Sequence, residues 1–87
     1  MFNPGNLIYC GKQQGIDVFF YNGVRIDAAL TQGQDGRYLY LGFGREQRFT
    51  GEELAGLLQW FGLDRRLGYS RHAFPDHSFW LVQRQAA

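Results

Sequence analysis

Ser70, His72, Asp76 and His77 fall within one short stretch, and Cys10 is the chain's single thiol. Side chains of these types support two chemistries. A cluster of His72, Asp76 and His77 with Cys10 has the donor types of a zinc site. Ser70 with His72 and Asp76 has the composition of a nucleophile, base and orienting acid. The spacing supports neither. Two histidines five apart do not share a helix face, and Pro75 breaks any helix between them. No strand-to-helix nucleophile turn surrounds Ser70. Cys10 sits in a strand-like run with no activating neighbour in sequence, the setting of an inert cysteine. The expectation is no metal, no cofactor and no enzymatic activity.

Arg65, Arg66 and Arg71 form a basic cluster beside the two histidines, diluted by Asp64 and Asp76. Such a group can hold an anion or an acidic partner surface through planar, bidentate contacts. It also fits a solvated loop whose cations sit near a helix C-terminus. The solvated loop is the favoured reading, with Arg65, Arg66 and Arg71 kept as anion-binding candidates.

Composition narrows the classes further. A chain of 87 residues has the size of a single domain, spanning 1–87, and its 45% hydrophobic and 17% aromatic content supports a core without staples. One cysteine excludes an internal disulfide and suits a reducing, cytoplasmic setting. No apolar run reaches the roughly 20 residues that a membrane helix needs, and the polar start Phe2-Asn3-Pro4-Gly5-Asn6 is unlike a signal peptide. A net charge of +1 fits neither a strongly basic nucleic-acid binder nor an acidic mimic.

Two turns set the framework that must position any site. Asn22-Gly23 between Ile16–Tyr21 and Val24–Thr31 is a type I′ hairpin signal, because that turn needs positive φ at both central residues. It places Tyr21 opposite Val24, Phe19 opposite Ile26 and Asp17 opposite Ala28. Asp35-Gly36, read as a second two-residue loop, places Leu30 opposite Leu41 and Ala28 opposite Phe43. One apolar face then runs through Phe19, Tyr21, Val24, Ile26, Ala28, Leu30, Leu39, Leu41 and Phe43. Leu7–Cys10 reads as a first strand before the polar turn Gly11–Gly15. Ser78–Arg84 reads as a last strand at a sheet edge, with Pro75 and Asp76 marking a turn before it. Leu63–Ala73 reads as a short helix or a loop, and the tail Gln85-Ala86-Ala87 as frayed.

The helix is written at every level. Thr50 and Glu53 form a capping box, with Phe49 and Leu54 placed as a hydrophobic staple. Leu54, Leu57, Leu58 and Phe61 keep the spacing of one apolar stripe. Gly62 stops the helix as a left-handed residue, which lets Leu63 fold back on Leu58. The expected fold is α+β: a meandering antiparallel sheet of four to five strands with one main helix packed on one face.

The other sheet face carries Ile16, Val18, Phe20, Tyr38 and Tyr40 beside Arg25 and Asp27. Left open, an apolar patch of this kind marks an interface, and Tyr and Arg are the types enriched at binding hot spots. Cover by Leu7–Cys10 or by the segment after Leu63 would make it interior, and self-association would make it a dimer surface. Aromatics beside arginine can also stack single-stranded bases. Yet the order strand-strand-strand-helix lacks the leading strand and helix of an RNA-recognition motif.

The hairpin Phe20-Tyr21-Asn22-Gly23-Val24-Arg25-Ile26, a third strand and a helix ending in Trp60-Phe61 together resemble some small phage-encoded anti-CRISPR proteins. Over Ile16 to Phe61 the layout is similar to compact sheet-plus-helix inhibitors of type I systems, which bind a Cas subunit through exposed aromatic and charged side chains. The resemblance implies a mobile-element inhibitor and assigns no residue a role. The expected function is a small, non-enzymatic protein-binding module acting by steric occlusion, with Phe20, Arg25, Asp27, Tyr38 and Tyr40 as its contact surface. The alternatives are a single-stranded nucleic-acid-binding domain and a homodimeric structural protein. No membrane association is expected.

Overall fold

The computed structural model describes residues 1–63 and 66–84. Strands β1 (Leu7–Gln13), β2 (Ile16–Tyr21), β3 (Val24–Gly33) and β4 (Gly36–Phe43) form a meander, followed by helix α1 (Gly51–Trp60), β5 (Tyr69–Ala73) and β6 (Ser78–Arg84). All pairings are antiparallel, in the order β1-β2-β3-β4-β6-β5. This is a small α+β fold with six strands, two or one more than the sequence suggests. No helix among the described residues is long and apolar enough to cross a membrane.

The additional strand is β5, where a short helix or loop was the expectation. Every residue of Tyr69–Ala73 is exposed, so no apolar alternation announces it. It forms because Phe74 N donates to His77 O at 2.8 Å across Pro75-Asp76, closing a hairpin that pairs His72 with Phe79. Consequently β6 is not an edge strand as expected; it lies between β4 and β5. Its core-facing Ser78, Trp80 and Val82 are buried, and a strand this apolar is poorly suited to an edge. The polar β5 takes that place instead.

The first hairpin has the expected register, Tyr21↔Val24, Phe19↔Ile26 and Asp17↔Ala28. Asn22 and Gly23 have φ of 49° and 79°, as a type I′ turn requires. The second hairpin differs. Gly33 pairs with Gly36, so the loop is Gln34-Asp35, and Leu30 faces Leu39 while Ala28 faces Leu41. Neither central residue has positive φ, so this is not a primed turn; Gly36 at φ 138° absorbs the twist mismatch. Moving the loop by one residue shifts the pairing by two. Because side chains alternate with period two, every residue keeps its face.

The core lies between that face and α1. Tyr21, Ile26, Leu41 and Phe43 from the sheet meet Leu57 and Leu58 of the helix, all nearly inaccessible. Leu54 and Phe61 complete the helical stripe at its partly buried margins, with Phe49 and Leu63 alongside. The capping box closes through Glu53 N to Thr50 Oγ1 at 3.1 Å and Thr50 N to Glu53 Oε1 at 3.2 Å. Glu53 also accepts from Asn22 Nδ2 at 3.1 Å, tying the first turn to the helix start. At the other end Gly62 has φ 92°, and Leu63 N donates to Leu58 O at 2.8 Å. With Gly62 N donating to Gln59 O at 3.0 Å this is a Schellman stop.

Outside the apolar core, Glu46 is buried with 6% of its surface exposed. It lies in a 3-10 turn after β4 and joins that loop to both C-terminal strands. Arg71 Nε donates to its Oε1 at 3.1 Å, and Ser78 Oγ donates to its Oε2.

Candidate functional site

Five expected contact residues, Phe20, Arg25, Asp27, Tyr38 and Tyr40, do share the sheet face opposite the helix. Phe20 pairs with Arg25 across β2 and β3, and Ala29 and Thr31 of β3 pair with Tyr40 and Tyr38. Among the described residues, neither segment named as a cover lies over this face. Leu7–Gln13 is the edge strand β1, and Tyr69–Arg84 supplies β5 and β6. Most of its large side chains are partly exposed; of the fully buried ones only Val18, at 1%, belongs to it.

Arg25 Nε lies 2.9 Å from Asp27 Oδ1, so these two charges satisfy each other. Tyr40 lies flat along its own strand over Gly42: a Cβ at Gly42 would come within 2.7 Å of the phenol oxygen. The ring is thereby brought beside Asp27. Burial, with the Asp27 charge second, raises the Tyr40 pKa. Tyr38 leans the opposite way, over Gly33, where a Cβ would meet its ring at 2.8 Å. Its hydroxyl donates to both carboxylate oxygens of Asp35, at 2.7 and 2.8 Å. That bond is the main reason its pKa is raised. Two glycines therefore let two tyrosines splay apart.

Sequence reasoning missed how far the aromatic surface extends. Tyr40 stacks on Phe79 of β6 at 5.4 Å and 30°, and Phe79 stacks on His72 of β5 at 4.6 Å and 16°. Phe74 continues the row, 6.2 Å from Phe79 and 4.7 Å from His77. The Pro75-Asp76 turn, treated as a hairpin, would have placed His72 opposite Phe79. Tyr40 meeting Phe79 depends on β4 pairing with β6, for which no local pattern exists.

The residues first considered for catalysis divide into separate pairs. His72 Nε2 lies 3.3 Å from Ser70 Oγ, while His77 Nδ1 lies 2.7 Å from Asp76 Oδ1. The Asp76 carboxyl is held below the usual range by that His77 contact. Cys10 is on β1, at the sheet edge opposite the one that carries His72. Of the anion-binding candidates, Arg71 bonds Glu46 and lies over Trp80 at 5.8 Å from the ring centroid. Arg66 is exposed and has a partner of its own, and Arg65 lies outside the described residues. No family model, curated protein or solved structure matches the chain.

The Tyr38–Asp35 bond makes a pH prediction. A phenol whose folded pKa is raised contributes stability that is complete below the unfolded value, about 10, and is lost as pH rises through the folded one. Asp35→Ala is expected to bring the Tyr38 ionisation down towards the ordinary tyrosine value. Phenolate absorbance followed through an alkaline titration reads this directly. An unchanged titration curve would show that the bond does not persist in solution.

Proposed function

We propose that this chain is a small, non-enzymatic protein-binding module that occludes a partner with the open face of its sheet. The observation that carries this reading is an aromatic face left uncovered by the described residues, with Leu7–Gln13, Tyr69–Ala73 and Ser78–Arg84 built into the sheet. Large apolar patches left open in this way commonly serve as interaction surfaces. Phe20, Tyr38 and Tyr40 supply rigid rings, while the mutually paired Arg25 and Asp27 supply a polar contact with little net charge. Steric occlusion in a cytoplasmic setting is also what its resemblance to phage-encoded inhibitors implies.

Single-stranded nucleic-acid binding is the second reading, favoured by the near-parallel row Tyr40, Phe79 and His72. The commitment of Arg25 to Asp27 and of Arg71 to Glu46 favours protein over phosphate. Affinity capture from a bacterial lysate, with and without nuclease, separates the readings. A stoichiometric protein retained after nuclease treatment is expected. Recovery of nucleic acid, or of proteins lost with it, would replace the first reading by the second. A product of twice the chain mass with nothing else bound would establish the homodimer instead.

A further inference from the structure

The geometry points to a specific anchor pocket within that face: the slot between Tyr38 and Tyr40 receives one large apolar side chain of a protein partner, flanked by a basic residue that reaches Asp35. This rests on the protein-binding reading and goes beyond it by naming what the partner presents.

The slot is a consequence of the splay. Tyr38 and Tyr40 occupy alternate positions of β4 and so point to the same side. Their rings nevertheless lie in opposite directions, over Gly33 and Gly42. Between them a groove of about 480 Å³ opens, with Ala29 and Thr31 on one side and Leu81 on the other. Ala29 and Leu81 are the direct neighbours of Tyr40 on the two adjoining strands, so the floor is apolar and low. A pocket of this kind suits an apolar anchor, since burying such a side chain is the main source of interface affinity.

The walls are held before any partner arrives. Tyr40 is fixed by its stack on Phe79, and Tyr38 by the double contact of its hydroxyl with Asp35. Little side-chain ordering then remains to be done on binding. Charge decides the flanking residue. Asp27 already has Arg25, whereas among the described residues Asp35 forms no ion pair and accepts a hydrogen bond from Tyr38 alone. A carboxylate bonded to the slot-lining Tyr38, and without an ion pair among the described residues, complements a lysine or arginine on the partner.

The test uses two capped dipeptides, acetyl-Trp-Lys-amide and acetyl-Trp-Glu-amide, titrated into the isotope-labelled protein at low salt. Amide shifts are expected at Ala29, Thr31, Gly33, Tyr38 and Leu81, with the lysine dipeptide binding about threefold more tightly, as an exposed charge pair gives. Salt should erase that preference. Ala29→Leu fills the floor and is expected to abolish the shifts. Asp35→Asn should remove the lysine preference while leaving the contact. Equal affinity for the two dipeptides overturns the flanking-charge element. Shifts that are absent, that fall on α1, or that survive Ala29→Leu overturn the slot. A captured protein partner that still binds the Ala29→Leu variant would keep the face-level reading and refute the anchor. Failure to capture any partner, with the dipeptides bound as expected, would count against that reading alone.

Discussion

Glu46→Ala is expected to lower the unfolding free energy by about 3 kcal/mol, a large part of the roughly 5–10 kcal/mol typical of a domain this size. Two losses add. Ser78 is 4% exposed and donates to Glu46, so removing the carboxylate leaves a buried hydroxyl without its acceptor, costing about 1–3 kcal/mol. The alanine also empties side-chain volume where the loop after β4 meets β5 and β6. The Arg71 contact adds little, because the arginine side chain is 45% exposed and water replaces its partner. Glu46→Gln keeps an acceptor and most of the volume, and should cost about 1 kcal/mol. Urea denaturation with an unchanged slope measures both. A Glu46→Ala midpoint indistinguishable from that of the parent chain would show that the buried carboxylate contributes nothing net, as some buried ion pairs do not.

Glu46 also marks where sequence reasoning stops. A glutamate among Arg45, Gln47 and Arg48 reads as surface. It is buried only because β5 and β6 arrive from more than twenty residues later and bring Arg71 and Ser78 to it. What depends on local chemistry was legible. Thr50, Glu53 and Gly62 mark both ends of α1, and Asn22-Gly23 fixes one hairpin. Asp35-Gly36 misplaced its loop by one residue, since glycines at both 33 and 36 allow either turn. The faces were still assigned correctly, because a two-residue shift preserves parity. That parity is why Phe20, Arg25, Asp27, Tyr38 and Tyr40 could be grouped in advance. Phe79, His72 and Phe74 could not join them without the pairing of β4 with β6, a tertiary choice that no periodicity encodes.

The double substitution Tyr38→Ser, Tyr40→Ser is expected to weaken capture of a protein partner by more than a hundredfold while the chain stays folded. Hot-spot aromatics cost about 2 kcal/mol or more each when truncated, and two such losses, about 4 kcal/mol, exceed the roughly 2.8 kcal/mol that makes a hundredfold change in affinity. The stability cost is smaller. Tyr38 loses its bond to Asp35 and its seat over Gly33 at the surface, and Tyr40 loses its Phe79 stack, worth about 0.5–1.5 kcal/mol. Neither ring belongs to the cluster under α1. Thermal melting of the variant should therefore fall by a few degrees and remain cooperative. Trp60→Ser is the matched control, since Trp60 is half exposed on the helix, on the other side of the sheet. It removes a larger ring yet should leave capture unchanged. If the double variant binds within twofold of the parent chain, the open face is not the interface. If Trp60→Ser abolishes capture instead, the partner docks on the helical side, and the splayed tyrosines serve only to cover Gly33 and Gly42.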